Sequence, residues 1–521
     1  MTASSLERRV ALAVVVACAV VYAAVLMIVP ARFHGYDDAK YLSIGLNVLD
    51  GRGPLTSFGV FFEPHSPLWP VILAIPKAWL GIDPFGWAHI LNVIAAVAVV
   101  GLGALLGWRI RPAAGALAAV GILAFPYLFD LSRRVGLDMP IAALSLGYLV
   151  LGGVAARDRS IRWAIGAGVL FGIAALIKES VLPFAPVPFI AAYAAGRPAS
   201  SVARQGTIAL LVAAVVTSWW WLMYAAGTGR VYRLGTPAWT LLPLAVAVLV
   251  AWAAAIAWDR RATSPGPAGP RATRPEGLRS RRLSPRAIAW LLAAGWVVGL
   301  IVMLGRAPEL HGRSLLDLGQ IAYYAGTWAD TLSPFLVVGG VGAVLDLVAR
   351  ARRGASPRAG EDTWLAVFCG LPLILLVIGV GELPRHYVAQ MVLLIAIGAG
   401  GWLWLAEAVV ARPTAATIRL LAVALGGVIA ALEPLFGGRP VVFTTIVIVL
   451  GGGVMAIAVA AIHPGLRARA DKVFGEGRLI AIGLVIALLA GSGVVVVRAA
   501  QGGPADRFDA AKAAAVSTVP A

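Results

Sequence analysis

SLERRVALAVVVACAVVYAAVLMIVPARFHGYDD, residues 5–38, contains the plan of the chain in miniature. Arg8 and Arg9 precede an apolar run that reaches Pro30, and an acidic pair, Asp37-Asp38, follows it. A run of about 20 apolar residues is long enough to cross about 30 Å of hydrocarbon. Comparable runs recur to the end of the chain, which is 60% hydrophobic and only 13% charged over 521 residues. No alternating ten-residue pattern points to a barrel. The expected fold class is therefore an all-α polytopic membrane protein. The first run exceeds a typical signal-peptide core and no convincing cleavage site follows it, so it reads as a retained helix with its N-terminus inside.

The formal charge of +18 does not signal nucleic acid. The basic residues are mostly arginines in short segments between apolar runs, which is how positive residues mark the cytoplasmic face. The Ala-, Gly- and Arg-rich, Lys-poor composition hints at a GC-rich bacterium. Cys18 and Cys369 both lie inside apolar runs without partners at metal-ligand spacing, so they read as small buried hydrophobes.

With Arg8 and Arg9 inside, about 15 spans fit near 10–30, 86–108, 112–129, 139–156, 161–177, 181–196, 206–226, 239–258, 287–304, 332–350, 363–380, 387–410, 418–433, 441–462 and 478–498. Every loop then predicted inside is basic. The segment 67–81 is short and proline-punctuated; counting it as a span would invert all later loops, so it belongs at the outer interface. The organisation expected is an N-terminal transmembrane module 1–258, a Pro/Gly/Arg/Ser-rich cytoplasmic linker 259–286, a C-terminal transmembrane module 287–498 and a flexible tail 499–521.

The same parity puts a different population of charges on the opposite face. Asp37, Asp38, Lys40, Glu63, His65, Asp83 and His89 lie in or beside the first outer loop. Arg133, Arg134 and Asp138 follow in the second, Lys178 and Glu179 after the fifth span, and Glu382, Arg385 and His386 near the end of this series. Mid-span positions carry almost no ionisable groups, which counts against an ion-coupled transporter. After Asp37-Asp38, Leu42, Leu46 and Leu49 recur at helical spacing with Asn47 and Asp50 off the stripe, the pattern of a helix lying on the bilayer surface. Gly51-Arg52-Gly53-Pro54 ends it, and the stretch from Pro67 forms a second interfacial helix.

At these residues the chain resembles the GT-C polyprenyl-phosphate-sugar glycosyltransferases, in the branch of protein O-mannosyltransferases and lipid A aminoarabinose transferases. The resemblance rests on an ordered set. Asp37-Asp38-Ala39-Lys40-Tyr41 with Asn47-Val48-Leu49-Asp50-Gly51-Arg52-Gly53 is similar to an acidic pair followed by N-L-x-x-G-x-G. His65-Ser66-Pro67-Leu68-Trp69 is similar to a K/H-P-P-L-Y element, Asp138-Met139-Pro140 to a second acidic element, and Ile177-Lys178-Glu179 to a T-K-G/E element. Arg385-His386-Tyr387-Val388 is a weaker match to R-Y-L-L-P. The likeness covers about the first 200 residues, and beyond them only the topology. The sequence departs from the pattern at Asp38, at His65-Ser66 and at the inserted His386.

The resemblance implies a GT-C-like fold and transfer of a sugar, mannose or arabinose in type, from a polyprenyl-phosphate donor to an acceptor glycan, lipid or protein on the extracytoplasmic face of the plasma membrane, with inversion. One carboxylate must take the acceptor hydroxyl proton; Asp37 is the first choice, with Asp138 or Asp38 orienting the acceptor or steadying positive charge on the sugar. The leaving phosphate needs cationic donors, for which Lys178 and Arg385 come first and His65, Arg133 and Arg134 behind them. No cofactor is required on this reading. An acidic pair also suits a divalent cation, and Asp37 and Asp38 are then its ligands. Two competing classes are a lipid-linked-saccharide flippase or exporter without catalysis, and another lipid-dependent envelope polymerase or ligase. The first needs cations facing a cavity within its helices, which these spans lack; the second usually concentrates its key residues in one late outer loop.

Overall fold

The computed structural model describes residues 5–31, 36–55, 66–134, 136–228 and 388–409, with short helical pieces between 288 and 295 and between 339 and 346. Among the described residues every regular element is helical and there is no strand. In chain order the helices are α1 (Ser5–Ile28), α2 (Tyr36–Leu49), α3 (Leu68–Leu80), α4 (Pro84–Ile110), α5 (Pro112–Ala124), α6 (Pro126–Arg133), α7 (Asp138–Asp158), α8 (Ile161–Ile177), a 3₁₀ helix (Glu179–Phe184), α9 (Val187–Ala194), α10 (Ala199–Thr228) and α11 (Val388–Val409). By length and composition α1, α4, α7 and α10 can each cross a membrane, and the bent pair α5–α6 makes a fifth candidate span. The spans expected at 239–258, 287–304, 332–350, 363–380, 418–433, 441–462 and 478–498, the linker and the tail lie outside the described residues, apart from short pieces at 288–295 and 339–346.

The chain divides into two compact units. One comprises Met1–Leu146, Ala322–Ser356 and Leu383–Ala521; the other comprises Gly147–Ile321 and Pro357–Glu382. In the first unit α4 and α5 form a tight antiparallel hairpin. A β carbon on Gly107 would stand 2.7 Å from the Ala114 carbonyl oxygen, and one on Gly115 the same distance from that of Ala104. Small residues let backbones approach this closely, which is how helices gain contact where lipid is as apolar as they are. Helix α11 packs on both α4 and α5, Val392 meeting Gly103 and Gly400 meeting Ile110. Those two contacts make α11 parallel to α4.

The expected span 112–129 is interrupted. Phe125 is extended (φ −78°, ψ 111°) before Pro126, and the two helical pieces meet at 64°. Proline has no N–H to donate and its ring disfavours helical backbone in the residue before it. Two helices do follow the first span, as expected, and α2 packs through a face other than its leucine stripe. Tyr41 and Ile44 are buried, whereas Leu42, Leu46 and Leu49 stay half-exposed. The reason is Gly45: a β carbon there would collide with the Pro70 carbonyl of α3, so the neighbouring face is the one that closes. Helix α3 has 13 residues, about 20 Å, too short to cross. Its C-terminal Trp79 and Leu80 are largely exposed, as suits an interfacial helix.

The second unit corrects another expectation. No single helix spans 181–196. A 3₁₀ turn and the eight-residue α9 stand there instead, because Pro183, Pro186 and Pro188 interrupt the backbone ladder. The chain nonetheless returns. Gly168 of α8 meets Ala209 of α10 and Gly172 meets Val216, so α8 and α10 are parallel. Residues 178–198 must therefore carry the chain back along the length of α8. Tyr148 anchors this broken segment: its ring stacks 4.6 Å from Phe171 and its hydroxyl donates to the Ala185 carbonyl between the 3₁₀ turn and α9.

Candidate functional site

The end of the first unit at which α1 finishes is held by polar side chains that reach across helices. Tyr22 of α1 donates to Ser132 Oγ of α6 at 3.0 Å, since that hydroxyl is itself committed to the Leu128 carbonyl at 2.7 Å. His89 Nε2 of α4 donates to the Leu26 carbonyl at 2.7 Å. Arg133, only 3% exposed, donates from Nη2 to the Pro30 carbonyl at 3.3 Å and lies 5.7 Å from the centre of the Phe129 ring. Together His89 and Arg133 satisfy carbonyls in and beyond the last turn of α1, which a helix end leaves without intrahelical donors.

Seven residues separate the end of α1 from α2, whose first turn carries Asp37 and Asp38. Their side chains lie outside the described residues, as do His65 and Arg385 altogether. The far end of α2 explains the Asn-x-x-x-Gly-x-Gly pattern. Asn47 Nδ2 donates to the Leu55 carbonyl at 2.7 Å, and the chain doubles back through Gly51 (φ +76°) and Gly53 (φ +82°). Left-handed backbone of this kind favours glycine because no β carbon meets the following carbonyl. Helix α3 is in turn tied to α4, Trp87 Nε1 donating to the Ile72 carbonyl at 3.0 Å.

The second acidic element stands at the same end. Asp138 is half-buried in the first turn of α7, where a carboxylate is favoured by the helix dipole. The turn before it is held by a residue that the sequence reading did not single out. Asn92 of α4 is fully buried; its Nδ2 donates to the Ala88 carbonyl at 3.0 Å and to the Gly136 carbonyl at 3.1 Å. An asparagine among Ile, Val and Ala in a span was the signal available, since a buried amide in hydrocarbon has to find partners.

The structure thus gathers Arg133, Arg134 and Asp138 at one end of the first unit, the end at which α1 finishes. Arg134 is half-buried and follows α6 in extended backbone. Lys178 belongs to the second unit. It ends α8 in extended conformation (φ −159°, ψ 130°), half-buried, and the 3₁₀ helix starts directly after it. Two charges of the first loop have evident structural partners: Asp83 caps α4 by accepting from Phe85 and Gly86 N–H at 3.2 and 2.8 Å, and His89 holds α1. Among the described residues no three His, Cys, Asp or Glu side chains stand together as a metal site.

Residues 65–221 match the family of dolichyl-phosphate-mannose-protein mannosyltransferases. The matched stretch holds His65, Arg133, Arg134, Asp138 and Lys178; Asp37, Asp38 and Arg385 lie outside it. No curated protein matches the chain. Among solved structures, ArnT from Cupriavidus metallidurans bound to undecaprenyl phosphate is similar at 14% identity, covering 94% of this chain and 78% of that chain with a TM-score of 0.41. Its apo state gives 13%, 93%, 76% and 0.44. The arabinosyltransferase EmbB from Mycobacterium smegmatis gives 12% identity and a TM-score of 0.41 over 95% of this chain and 41% of that one.

Proposed function

On the premise that residues 65–221 form a segment of the dolichyl-phosphate-mannose-protein mannosyltransferase type, we propose that the chain is an inverting membrane glycosyltransferase. It moves a mannose- or arabinose-type sugar from a polyprenyl-phosphate donor to an acceptor on the extracytoplasmic face. The observation that carries this reading is the family match itself, which spans the second acidic element and the basic residue that ends α8. The clustering of Arg133, Arg134 and Asp138 at the end where α1 stops supports it.

In the reaction the acceptor hydroxyl oxygen attacks the anomeric carbon, and the bond from that carbon to the phosphate oxygen breaks. The polyprenyl phosphate leaves with the bonding pair. Asp37 takes the hydroxyl proton as the new bond forms. Asp138 and Asp38 orient the acceptor and steady positive charge on the sugar ring. Lys178 and Arg385 donate to the departing phosphate, assisted by Arg134 and His65. Arg133 has one donor committed to Pro30 and serves chiefly as a brace for the end of α1. The two first-loop carboxylates would be the ligands of a divalent cation, if the reaction uses one.

The test is transfer by purified protein in nanodiscs, using radiolabelled polyprenyl-phosphate mannose and arabinose with a crude membrane acceptor pool. Wild type should transfer from one donor and Asp37→Asn should lose about 100-fold or more. Equal transfer by both proteins would remove Asp37 as the base. No transfer from either donor would refute the assignment to these two sugars, and lipid-linked-sugar translocation in liposomes would then test the non-catalytic class.

A further inference from the structure

We propose that Asn92 is a positioning residue for the acid Asp138, setting that carboxylate's place in the reaction without touching substrate. The inference rests on the glycosyltransferase reading above and adds a residue to it.

Asn92 lies about two turns inside α4, fully buried. Each N–H of its amide group is directed at a carbonyl: one at Ala88 on its own helix, the other at Gly136 across the helix boundary. Turning the carboxamide over would set its oxygen against both carbonyl oxygens, so the two bonds fix its orientation. The half-buried Gly136 carbonyl belongs to the bend between α6 and α7, outside any helical ladder, and Asn92 supplies its donor. Asp138 follows two residues later, at the start of α7. A β carbon on Gly136 would stand 3.8 Å from Asp138 Oδ2, so the carboxylate lies beside the very residue that Asn92 holds. Helix α4 is tied to α1 about one turn earlier, where His89 donates to the Leu26 carbonyl. The acid is therefore held by a strut fixed at both ends.

Leucine keeps the branched four-atom skeleton of asparagine, with bulkier tips, and removes both donors. In Asn92→Leu, kcat should fall about 10- to 100-fold, the scale for misplacing a catalytic group by about 1 Å, with KM for donor within about twofold. A double-mutant cycle separates positioning from general stability. Asn92→Leu combined with Asp138→Asn should be no slower than Asp138→Asn alone, to within about twofold. Losses that multiply would overturn the inference, as would Asn92→Leu transferring at the wild-type rate. Hydrogen exchange over residues 136–142 should quicken in Asn92→Leu; unchanged exchange there also overturns it. Should that variant not fold, Asn92→Ser replaces it, because a helical serine turns its hydroxyl to the Ala88 carbonyl and leaves Gly136 unpaired, and the same results apply. Wild type that transfers from neither donor, with exchange quickened in the variant, refutes the mannose- or arabinose-type reading and leaves Asn92 a structural brace, which overturns the inference with it. Transferring wild type with an unaffected variant overturns the inference alone.

Discussion

Replacing Gly45 with alanine should damage the enzyme far more through geometry than through stability. A β carbon at Gly45 would lie 2.8 Å from Ala74 Cβ and closer still to the Pro70 carbonyl. Carbon atoms prefer about 3.5–4.0 Å, so α2 must retreat from α3 by about 1 Å. Forcing an extra methyl into such a contact costs about 1–3 kcal/mol, and alanine returns about 1 kcal/mol in helix propensity. The net loss of stability is about 0–2 kcal/mol. Activity should respond more. Asp37 stands eight residues before Gly45 on the same helix, about 12 Å away, and a rigid helix carries the shift to it. Misplacement by about 1 Å costs about 100-fold in rate. Gly101 is the control, since it lies in α4 with nothing within 4 Å of where its β carbon would stand; Gly101→Ala should gain about 1 kcal/mol. The assay is initial rate of sugar transfer in nanodiscs beside thermal unfolding in detergent. Wild-type activity in Gly45→Ala, or equal harm from Gly101→Ala, would refute the packing argument.

Arg133→Met removes the bond to Pro30 and should lower the thermal midpoint, by about 1–3 kcal/mol of stability, while KM for donor changes less than about twofold. A tenfold rise in KM with stability intact would instead make Arg133 a donor-phosphate ligand. Asp83→Ala deletes the cap of α4 and should cost about 1 kcal/mol, with Asp83→Asn losing little; equal midpoints for all three proteins would show that the cap contributes nothing. Tyr148→Phe keeps the ring on Phe171 and removes only the hydroxyl bond to Ala185, so it should cost about 1 kcal/mol and speed hydrogen exchange in residues 184–190. Unchanged exchange there would mean that the prolines alone shape the broken segment.

Much of this architecture was legible because the membrane restricts the choices. A run of apolar residues that must satisfy its own backbone in hydrocarbon has to be helical, which places α4, α7, α8 and α11 to within about two residues, α1 to within about five, and α10 with a start seven residues earlier than expected. Prolines were the source of error. Pro126 breaks what reads as one span, and Pro183, Pro186 and Pro188 break another, because hydropathy records burial and not the ladder of hydrogen bonds. The leucine stripe of α2 reads as a bilayer-facing one and stays half-exposed, whereas the face that packs on α3 is set by the missing β carbon at Gly45, which leucine spacing does not record. In the site region, Asp138 and Lys178 stand at helix ends as expected. Asn92 is not legible from charge patterning, because a neutral amide carries no charge.

Composition, span length and the order of acidic and basic elements determined by themselves that this is a helical membrane protein with its polar chemistry near helix ends. The tertiary structure alone decided which polar groups are bound into the frame. Tyr22 finds Ser132 across 110 residues of chain, Arg133 finds Pro30 across 103, His89 finds Leu26 across 63 and Asn92 finds Gly136 across 44. Each of these bonds satisfies a group whose partner is set by helix packing and not by neighbouring sequence. The hydrophobic run is a local property that one helix expresses alone, whereas a buried donor's partner exists only once two distant segments have met.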